Sequence, residues 1–223
     1  MAPIGCGPSR RRAFSRAVCA LAFRGVGWAA WRRTGGRVAP VSQRHGHGVR
    51  LLDDGHAAVK GAAKGSLAAV IADTHIPRRA RGLPEALIPH LERADLILHA
   101  GDLMDPALLG ELAAYAPTEA VRGNLDPPGL DLPETIELEL GGARVAMIHD
   151  SGRKQGRRRR LLRRFPEARV VIFGHSHIPF LEDEDGLMLL NPGSPTDRRR
   201  QPRHTFALLR AEERGVRAEI VPL

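Results

Sequence analysis

Short apolar runs that each end in a polar residue are the main pattern of the chain from residue 67 onward. Leu67–Ala72 and Val170–Phe173 are typical of these runs, which consist of aliphatic and β-branched residues. Runs of this length and composition predict buried β-strands. The five runs are followed by Asp73-Thr74-His75, Gly101-Asp102, Gly123-Asn124, His149-Asp150 and Gly174-His175-Ser176-His177. The pattern therefore predicts five strands whose carboxyl ends carry polar side chains.

The first three strands alternate with segments of helical periodicity, at 84–93 and around 106–115. An order of strand, helix, strand, helix and strand indicates a parallel sheet with right-handed crossovers. Ligands of such sheets bind beyond the carboxyl ends of the strands. The polar motifs fall at those ends, so we expect them to form one site.

The second part of the chain has an antiparallel character. Residues 135–140 alternate, Gly141-Gly142 provides a turn, and the next run ends at His149, which predicts a β-hairpin. A basic helix is predicted at 153–165, two short strands around the acidic turn 182–186, and a last hairpin near 205–221. The chain is thus predicted to be an α/β protein with two sheets packed face to face and helices outside.

Charge divides the chain into two parts. Residues 1–65 contain twelve Lys and Arg against two Asp, whereas residues 66–223 are nearly neutral. We therefore expect a basic, disordered extension at 1–65 and one folded domain at 66–223. Arg11-Arg12 within this extension has some likeness to a twin-arginine export signal, which is an alternative to a basic tail.

The two cysteines, Cys6 and Cys19, both lie in the extension, so the domain has no disulfide framework. No apolar run has the roughly 18–20 residues of a membrane span. The absence of these two features favours a cytoplasmic protein.

The polar residues at the strand ends are of the types that bind divalent cations. Neutral imidazole is a common ligand of transition metals, and carboxylate and amide oxygens bind hard and borderline cations. The alternative for His175 and His177 alone is two solvated loop histidines. Recurrence of the pattern at five strand ends favours the metal site.

In order and type, these motifs resemble those of the calcineurin-like metallophosphoesterases, and the resemblance covers roughly residues 67–222. Asn191-Pro192-Gly193-Ser194 is similar to a motif of the small bacterial and archaeal phosphodiesterases, a subgroup that is related to the retromer scaffold subunit. The resemblance implies a four-layer αββα sandwich of two mixed β-sheets flanked by helices. It also implies a site for two metal ions. The implied ligands are Asp73, His75 and His177 for one ion, Asn124, His149 and His175 for the other, and Asp102 as the bridge.

In this family, the implied reaction is phosphoester hydrolysis by in-line attack of hydroxide activated by two metals, with Asp102, Asn124 and His149 as the catalytic residues. Two cations about 3.5–4 Å apart orient the phosphate and stabilise its charge. Mn²⁺ is the expected ion, and Ni²⁺, Fe²⁺, Co²⁺ and Zn²⁺ also suit mixed nitrogen and oxygen ligands. We expect a phosphodiesterase acting on a small phosphate ester or a nucleotide. The alternative is a non-catalytic interaction scaffold that retains the fold.

Leu125 is a departure from the family pattern, because many members have a histidine after the Gly-Asn pair. Absence of this histidine would remove a general-acid contribution of roughly 10²–10⁴-fold. The rate of hydrolysis should therefore fall least for substrates with good leaving groups. Asp150 either orients His149 or faces solvent, and we expect it to face solvent. Asp126 either fixes the Asn124 loop or is a plain turn residue.

The remaining polar residues have structural interpretations. We expect Arg122 to form a salt bridge, and His99 to be packed and hydrogen-bonded inside its strand. The arginines of residues 157–164 and 198–203 suit phosphate, but such runs are usually solvated faces. Nucleic-acid binding is therefore not favoured. Homodimerisation through an exposed edge of the last hairpin is one option.

Overall fold

In the computed structural model of the chain, residues 49–51, 57–62, 65–213 and 215–223 are described, the first two ranges by their backbone only. The helices are α1 (Ile88–Glu92), α2 (Pro106–Ala113) and α3 (Arg157–Arg164). The strands are β1 (Val49–Leu51), β2 (Ala57–Ala62), β3 (Leu67–Ile71), β4 (Leu96–His99), β5 (Thr118–Ala120), β6 (Thr135–Leu140), β7 (Ala143–Ile148), β8 (Val170–Ile172), β9 (Phe180–Glu184), β10 (Leu187–Asn191), β11 (Thr205–Glu212) and β12 (Gly215–Pro222).

One sheet has five strands in the order β12-β11-β3-β4-β5. The strands β3, β4 and β5 are parallel, as the alternation of strands and helices predicts. The last hairpin, β11 and β12, joins this sheet by antiparallel pairing of β11 with β3. Strand β3, which precedes Asp73, therefore lies in the middle of the sheet. One of its neighbours, β4, is the next strand in the sequence, and the other, β11, comes more than 130 residues later.

The other sheet has seven strands in the order β1-β2-β6-β7-β8-β10-β9. The predicted hairpin is β6 and β7, and β8 lies parallel to β7 on one side and to β10 on the other. Strands β1 and β2 fall within residues 1–65, where we expected no regular structure. Residues 1–48, 52–56 and 63–64 of that extension lie outside the described part, so its boundary stays a prediction.

The two sheets pack face to face and form the central core. Alternate residues of each sheet, such as Val70, Leu98, Val145 and Ile172, are removed from water at this interface. The opposite face of the five-stranded sheet packs against α1 and α2. The opposite face of the seven-stranded sheet packs against α3 through Leu161 and its neighbours. The expected four-layer sandwich of two mixed sheets is confirmed.

The helices are shorter than the periodicity predicts. Helix α1 begins at Ile88 rather than Pro84, and Pro89 explains the difference, since it lacks an N–H and clashes with a preceding helical turn. Helix α2 begins as predicted, with Pro106 in the first turn and the Asp105 carboxylate accepting from the N–H of Ala107. None of the helices in the described ranges has the length and apolarity needed to cross a membrane.

Candidate metal centre

The polar ends of five strands meet at one edge of the sandwich. Asp73, Asp102 and Asn124 follow strands β3, β4 and β5 of one sheet, and His149, His175 and His177 follow β7 and β8 of the other. Backbone hydrogen bonds join the loops. The N–H of Asp73 donates to the Gly101 carbonyl, and the N–H of His75 donates to that of Asp102, each at 3.0 Å. Both sheets therefore contribute side chains to one site.

The backbone at this edge is unusual. Asp73, His75, Asp102, His175 and His177 all have positive φ, between 49° and 65°. This region costs a non-glycine residue free energy, and residues held in it cluster at functional sites. Five of the seven candidate ligands share it, and it turns their side chains towards the sheet edge.

Two glycines permit the close approach of these loops. Gly101 has a φ of 92°, and a Cβ there would lie 2.6 Å from Nδ1 of His149. A Cβ on Gly123 would collide with the carboxylate and the backbone nitrogen of Asp102. The Gly-Asp and Gly-Asn motifs thus need glycine because another loop occupies the space of a side chain.

Asp73, His75 and His177 form what we name the buried half of the site, since each is at most 2% exposed. Nε2 of His177 lies 3.5 Å from Oδ1 of Asp73, and Nε2 of His75 lies 3.8 Å from the same oxygen. The three ligand atoms fall within 4.8 Å of one another. Oδ2 of Asp73 and Nε2 of both histidines have no hydrogen-bond partner among the described residues. Buried polar atoms that converge without partners are the arrangement that a cation satisfies.

Asp102 lies between the two groups of ligands. Its Oδ2 is 3.3 Å from Nε2 of His75 and 3.6 Å from Nε2 of His149, and its Oδ1 accepts from the N–H of Leu125. Burial on its own would raise the pKa of Asp102, but His75, the Leu125 N–H and His149 together hold it below its usual value. The carboxylate is therefore ionised at neutral pH and faces both groups.

Asn124, His149 and His175 form what we name the open half, because Asn124 and His175 are exposed. Oδ1 of Asn124 lies 3.0 Å from Nε2 of His149 and 2.9 Å from Nδ1 of His175. Nδ1 of His149 donates to the Ala100 carbonyl at 2.8 Å, which leaves Nε2 as the ring atom that faces Asn124 and Asp102. The three side chains are already in contact with one another.

The two histidines of the buried half differ in their titration without a metal. Burial lowers the pKa of His75, but the Asp102 and Asp73 carboxylates outweigh it and raise the value to about 9. The Asp102 oxygen responsible lies 3.3 Å from Nε2 of His75. Burial also lowers the pKa of His177, and there the opposing effect of Asp73 is too small to reverse it. A metal ion would have to displace the proton of His75.

Asp126 fixes the Asn124 loop. The sequence alone allowed this role and, as an alternative, that of a plain turn residue. Its carboxylate accepts from the backbone N–H groups of Asp102 at 3.0 Å, Met104 at 2.7 Å and Gly123 at 2.7 Å. The side chain is buried and ties the Gly-Asp loop to the Gly-Asn loop. The signal for this role in the sequence was a carboxylate two residues after the Gly-Asn pair.

Asp197 was missed by sequence reasoning. Its carbonyl accepts from Nδ1 of His177 at 2.5 Å, and its Oδ2 lies 3.9 Å from Nδ1 of both His75 and His177. Oγ of Ser194 accepts from the Asp197 N–H and donates to the Asp73 carbonyl, each at 2.8 Å. The segment after Asn191-Pro192-Gly193-Ser194 therefore supports the buried half, and that motif was the signal for it.

The other residues considered have structural roles. His99 is fully buried between Thr74 and the Gly101 N–H, and burial lowers its pKa to about 3, so it is neutral. Arg122 pairs with Glu134 at 3.0 Å on the surface. Asp150 is exposed and accepts from the Gly152 N–H, so it does not orient His149.

Comparison with known proteins agrees with this geometry. Residues 67–214 match the model of the calcineurin-like phosphoesterase superfamily domain. The chain belongs to this superfamily. A protein of Methanothermobacter thermautotrophicus named "Probable metallophosphoesterase" is 41% identical over 161 residues, which make up 70% of this chain and 91% of that relative. Membership of the superfamily makes this chain a relative of metal-dependent phosphoester hydrolases.

Solved structures share the fold of this calcineurin-like domain. An NMR structure of a Thermotoga maritima protein is 30% identical, with a TM-score of 0.58 over 71% of this chain and 99% of that one. The vacuolar protein sorting 29 structure from Cryptosporidium parvum has a TM-score of 0.59 over 72% of this chain and 98% of that one. Its identity is 19%, so this second likeness shows the fold alone.

Proposed function

We propose that this chain is a metal-dependent phosphodiesterase with two divalent ions at the strand ends. The observation that carries the proposal is the convergence of Asp73, His75 and His177. Their ligand atoms lie within 4.8 Å of one another, and Oδ2 of Asp73 and Nε2 of both histidines have no hydrogen-bond partner in the described chain. Such atoms are costly to bury unless a ligand satisfies them. Their types, one carboxylate oxygen and two imidazole nitrogens, suit a transition-metal ion.

The buried half would hold one ion and the open half the other. Asp102 would contact both, because one of its oxygens already lies between His75 and His149. Mixed nitrogen and oxygen ligands suit Mn²⁺, our preferred ion, and also Fe²⁺, Ni²⁺, Co²⁺ or Zn²⁺. When bound, two such ions supply Lewis acidity that lowers the pKa of water and neutralises phosphate charge.

The protein's own contribution is positioning. The Ala100 carbonyl fixes the tautomer of His149, and Asp197 holds His177 through the same kind of bond. Asp126 fixes the distance between the Asp102 and Asn124 loops through three backbone bonds. Asn124 and His149 face the open side, where the ester would bind and be oriented for in-line attack.

Leu125 favours esters with good leaving groups over unactivated esters. Its side chain is 40% exposed beside Asn124, where it can donate no proton to a departing oxygen. A leaving group that needs no protonation loses nothing at this position. An ester of p-nitrophenol meets this condition because its phenolate is already stable in water.

A non-catalytic scaffold is the competing proposal. Its support is the shared fold of vacuolar protein sorting 29, which at 19% identity does not distinguish the two functions. A scaffold has no need for seven competent ligands or for buried atoms without partners. Retention of both features supports the enzyme.

The decisive experiment measures hydrolysis of bis-p-nitrophenyl phosphate and p-nitrophenyl phosphate by protein stripped of metal and reloaded with Mn²⁺. Metal content is counted in parallel. We expect two ions per chain and a higher kcat/KM for the diester. Turnover of the monoester alone would contradict the phosphodiesterase, and absence of both metal and turnover would favour the scaffold.

A further inference from the structure

Helix α3 contains six arginines, and the structure divides them into two kinds. Arg157, Arg158 and Arg160 have structural partners. Arg158 pairs with Glu182 at 2.6 Å and donates to two backbone carbonyls, Arg160 donates to three carbonyls, and Arg157 lies over the Phe173 ring. These contacts fasten the helix to the seven-stranded sheet and to the preceding loop.

The other three, Arg159, Arg163 and Arg164, are exposed. Among the described residues, none of the three makes an ion pair with a carboxylate or donates a hydrogen bond. Arg164 lies over the Phe165 ring, 5.7 Å from its centroid, and this contact uses the face of the guanidinium and none of its N–H donors. The hydrogen-bond donors of all three guanidinium groups are therefore left without protein acceptors in the described chain. Arg164 lines a depression together with the candidate ligands Asn124 and His149, and Arg163 lines the depression next to it.

Two adjoining depressions run from the open half along α3. The first, about 290 Å³, is lined by Asn124, His149 and Arg164. The second, about 390 Å³, is lined by Arg160, Arg163 and Arg164. Arg164, Asp150 and Ile148 line both, so the two form one continuous surface, which we name the arginine groove. The larger depression alone lies in the roughly 300–1,000 Å³ range of small-molecule sites.

The charge of the arginine groove is positive. Four arginines and two carboxylates line it, and one of those carboxylates, Glu134, is already paired with Arg122. Asp150 remains at the junction and accepts from the Gly152 N–H. Guanidinium groups present several donors to phosphate oxygens at once, so Arg163 and Arg164, whose N–H donors have no acceptor in the described chain, suit an anion of that shape.

We propose that the arginine groove binds a second phosphate group of the substrate, through Arg163 and Arg164. The inference rests on the proposed function and deepens it, since it defines the substrate as a phosphoester that carries another phosphate. The scissile phosphate lies at the strand ends, and the second phosphate lies along α3. The two arginines are specificity residues, because they contact the part of the substrate that does not react.

The kinetic test compares two substrates that differ only by that group, p-nitrophenyl thymidylate and the same diester with a further phosphate on its sugar. The protein is the full chain loaded with Mn²⁺, and the variants are Arg163→Gln/Arg164→Gln and the matched control Arg159→Gln on the same helix. We expect the wild type and the control to prefer the doubly phosphorylated diester by about tenfold in kcat/KM. The double variant should lose this preference, mainly through KM, because binding to a remote group is the same in ground and transition states.

A binding measurement separates this inference from the proposed function. Isothermal titration of metal-free protein with thymidine monophosphate and thymidine bisphosphate needs neither metal nor turnover. Tighter binding of the bisphosphate that is lost in the double variant and kept in Arg159→Gln supports the groove even if hydrolysis fails. Equal binding of the two nucleotides, or an unchanged preference in the double variant, would overturn it. Tighter binding of a single-stranded oligonucleotide than of the bisphosphate would overturn the assignment to a small substrate.

Discussion

The buried half and the open half of the site differ in what holds their side chains. In the buried half, Ser194 and Asp197 fix Asp73 and His177 from outside, and Oδ2 of Asp73 and Nε2 of both histidines have no hydrogen-bond partner in the described chain. In the open half, Asn124 already contacts both histidines, so those contacts must open before an ion can enter. A cation that enters the buried half therefore displaces only the proton of His75, whereas one that enters the open half must separate side chains that border the arginine groove.

Asp102→Ala should produce the largest effect, because this residue joins the two halves. We expect kcat/KM for bis-p-nitrophenyl phosphate to fall by about 10³-fold or more, as expected when charge stabilisation at the reacting group is lost. Circular dichroism should show a folded chain, and metal analysis should show fewer than two ions. Retained turnover in this variant would refute the bridging role and remove the link between the halves.

Asp126→Ala tests whether the open half depends on its loop anchor. The change leaves three backbone N–H groups without their acceptor, so the free energy of unfolding should fall by about 3 kcal/mol. Asp150→Ala is the matched control, because that carboxylate is exposed and accepts from one N–H, and its effect should be under about 0.5 kcal/mol. Urea unfolding of metal-free protein measures both. Similar values for the two variants would show that the three bonds contribute little.

His177→Ala and His175→Ala compare the halves directly. His177 is buried, bonded to the Asp197 carbonyl and in edge-to-face contact with the His75 ring at 4.9 Å, so its loss should cost about 2 kcal/mol of stability without metal. His175 is exposed, and its loss should cost under about 0.5 kcal/mol. Each variant should retain one bound ion of the two. An equal cost of unfolding would remove the distinction between the buried and the open half.

The pH dependence of stability distinguishes His75 of the buried half from His99 beside it. The pKa of His99 falls from 6.5 to about 3 on folding. Between pH 3 and pH 6.5, His99 is therefore protonated in the unfolded chain and neutral in the folded chain. Stability therefore decreases as the pH falls from 6.5 towards 3. The pKa of His75 rises from 6.5 to about 9, so its contribution is complete below pH 6.5 and is lost as the pH rises towards 9.

Metal-free protein should accordingly be most stable near pH 6.5, with each histidine contributing up to about 1.4 kcal/mol per pH unit on its side. Urea unfolding at about pH 5, 6.5 and 8 measures the two slopes. His99→Gln should reduce the acid slope only, and His75→Gln the alkaline slope only. A stability that keeps rising above pH 6.5 in the wild type would contradict the assignment for His75.

Much of the fold followed from the sequence because apolar runs and turn signals are local. The hairpin 135–148, the parallel strands before Asp73 and Asp102, and the outer helices were all predicted, with errors mainly at helix ends. Pro89 shortened α1 for a reason that was readable in the sequence. The pairing of β2 with β6 was not predictable, since β2 lies in a basic segment without periodicity.

The site was predictable to the extent that each residue ends a strand. Seven residues could be named because the carboxyl ends of neighbouring strands converge, and the structure does bring them together. Asp126 and Asp197 act through backbone contacts made by tertiary packing, which carry no periodic signal. The division of the α3 arginines was equally hidden, because six identical residues in one helix differ only in what packs around them.

The pairing of β3 with β11 has a consequence for synthesis of the protein. A chain emerges from the ribosome with its amino end first, and Asp73 is made long before the strand and the serine that fix it. Ser194 lies 121 residues after Asp73 and β11 follows it, so the buried half can be completed only after both have been synthesised. Tight metal binding would then require a chain that extends past Ser194 and β11, and fragments that end before Ser194 would be left without a finished site.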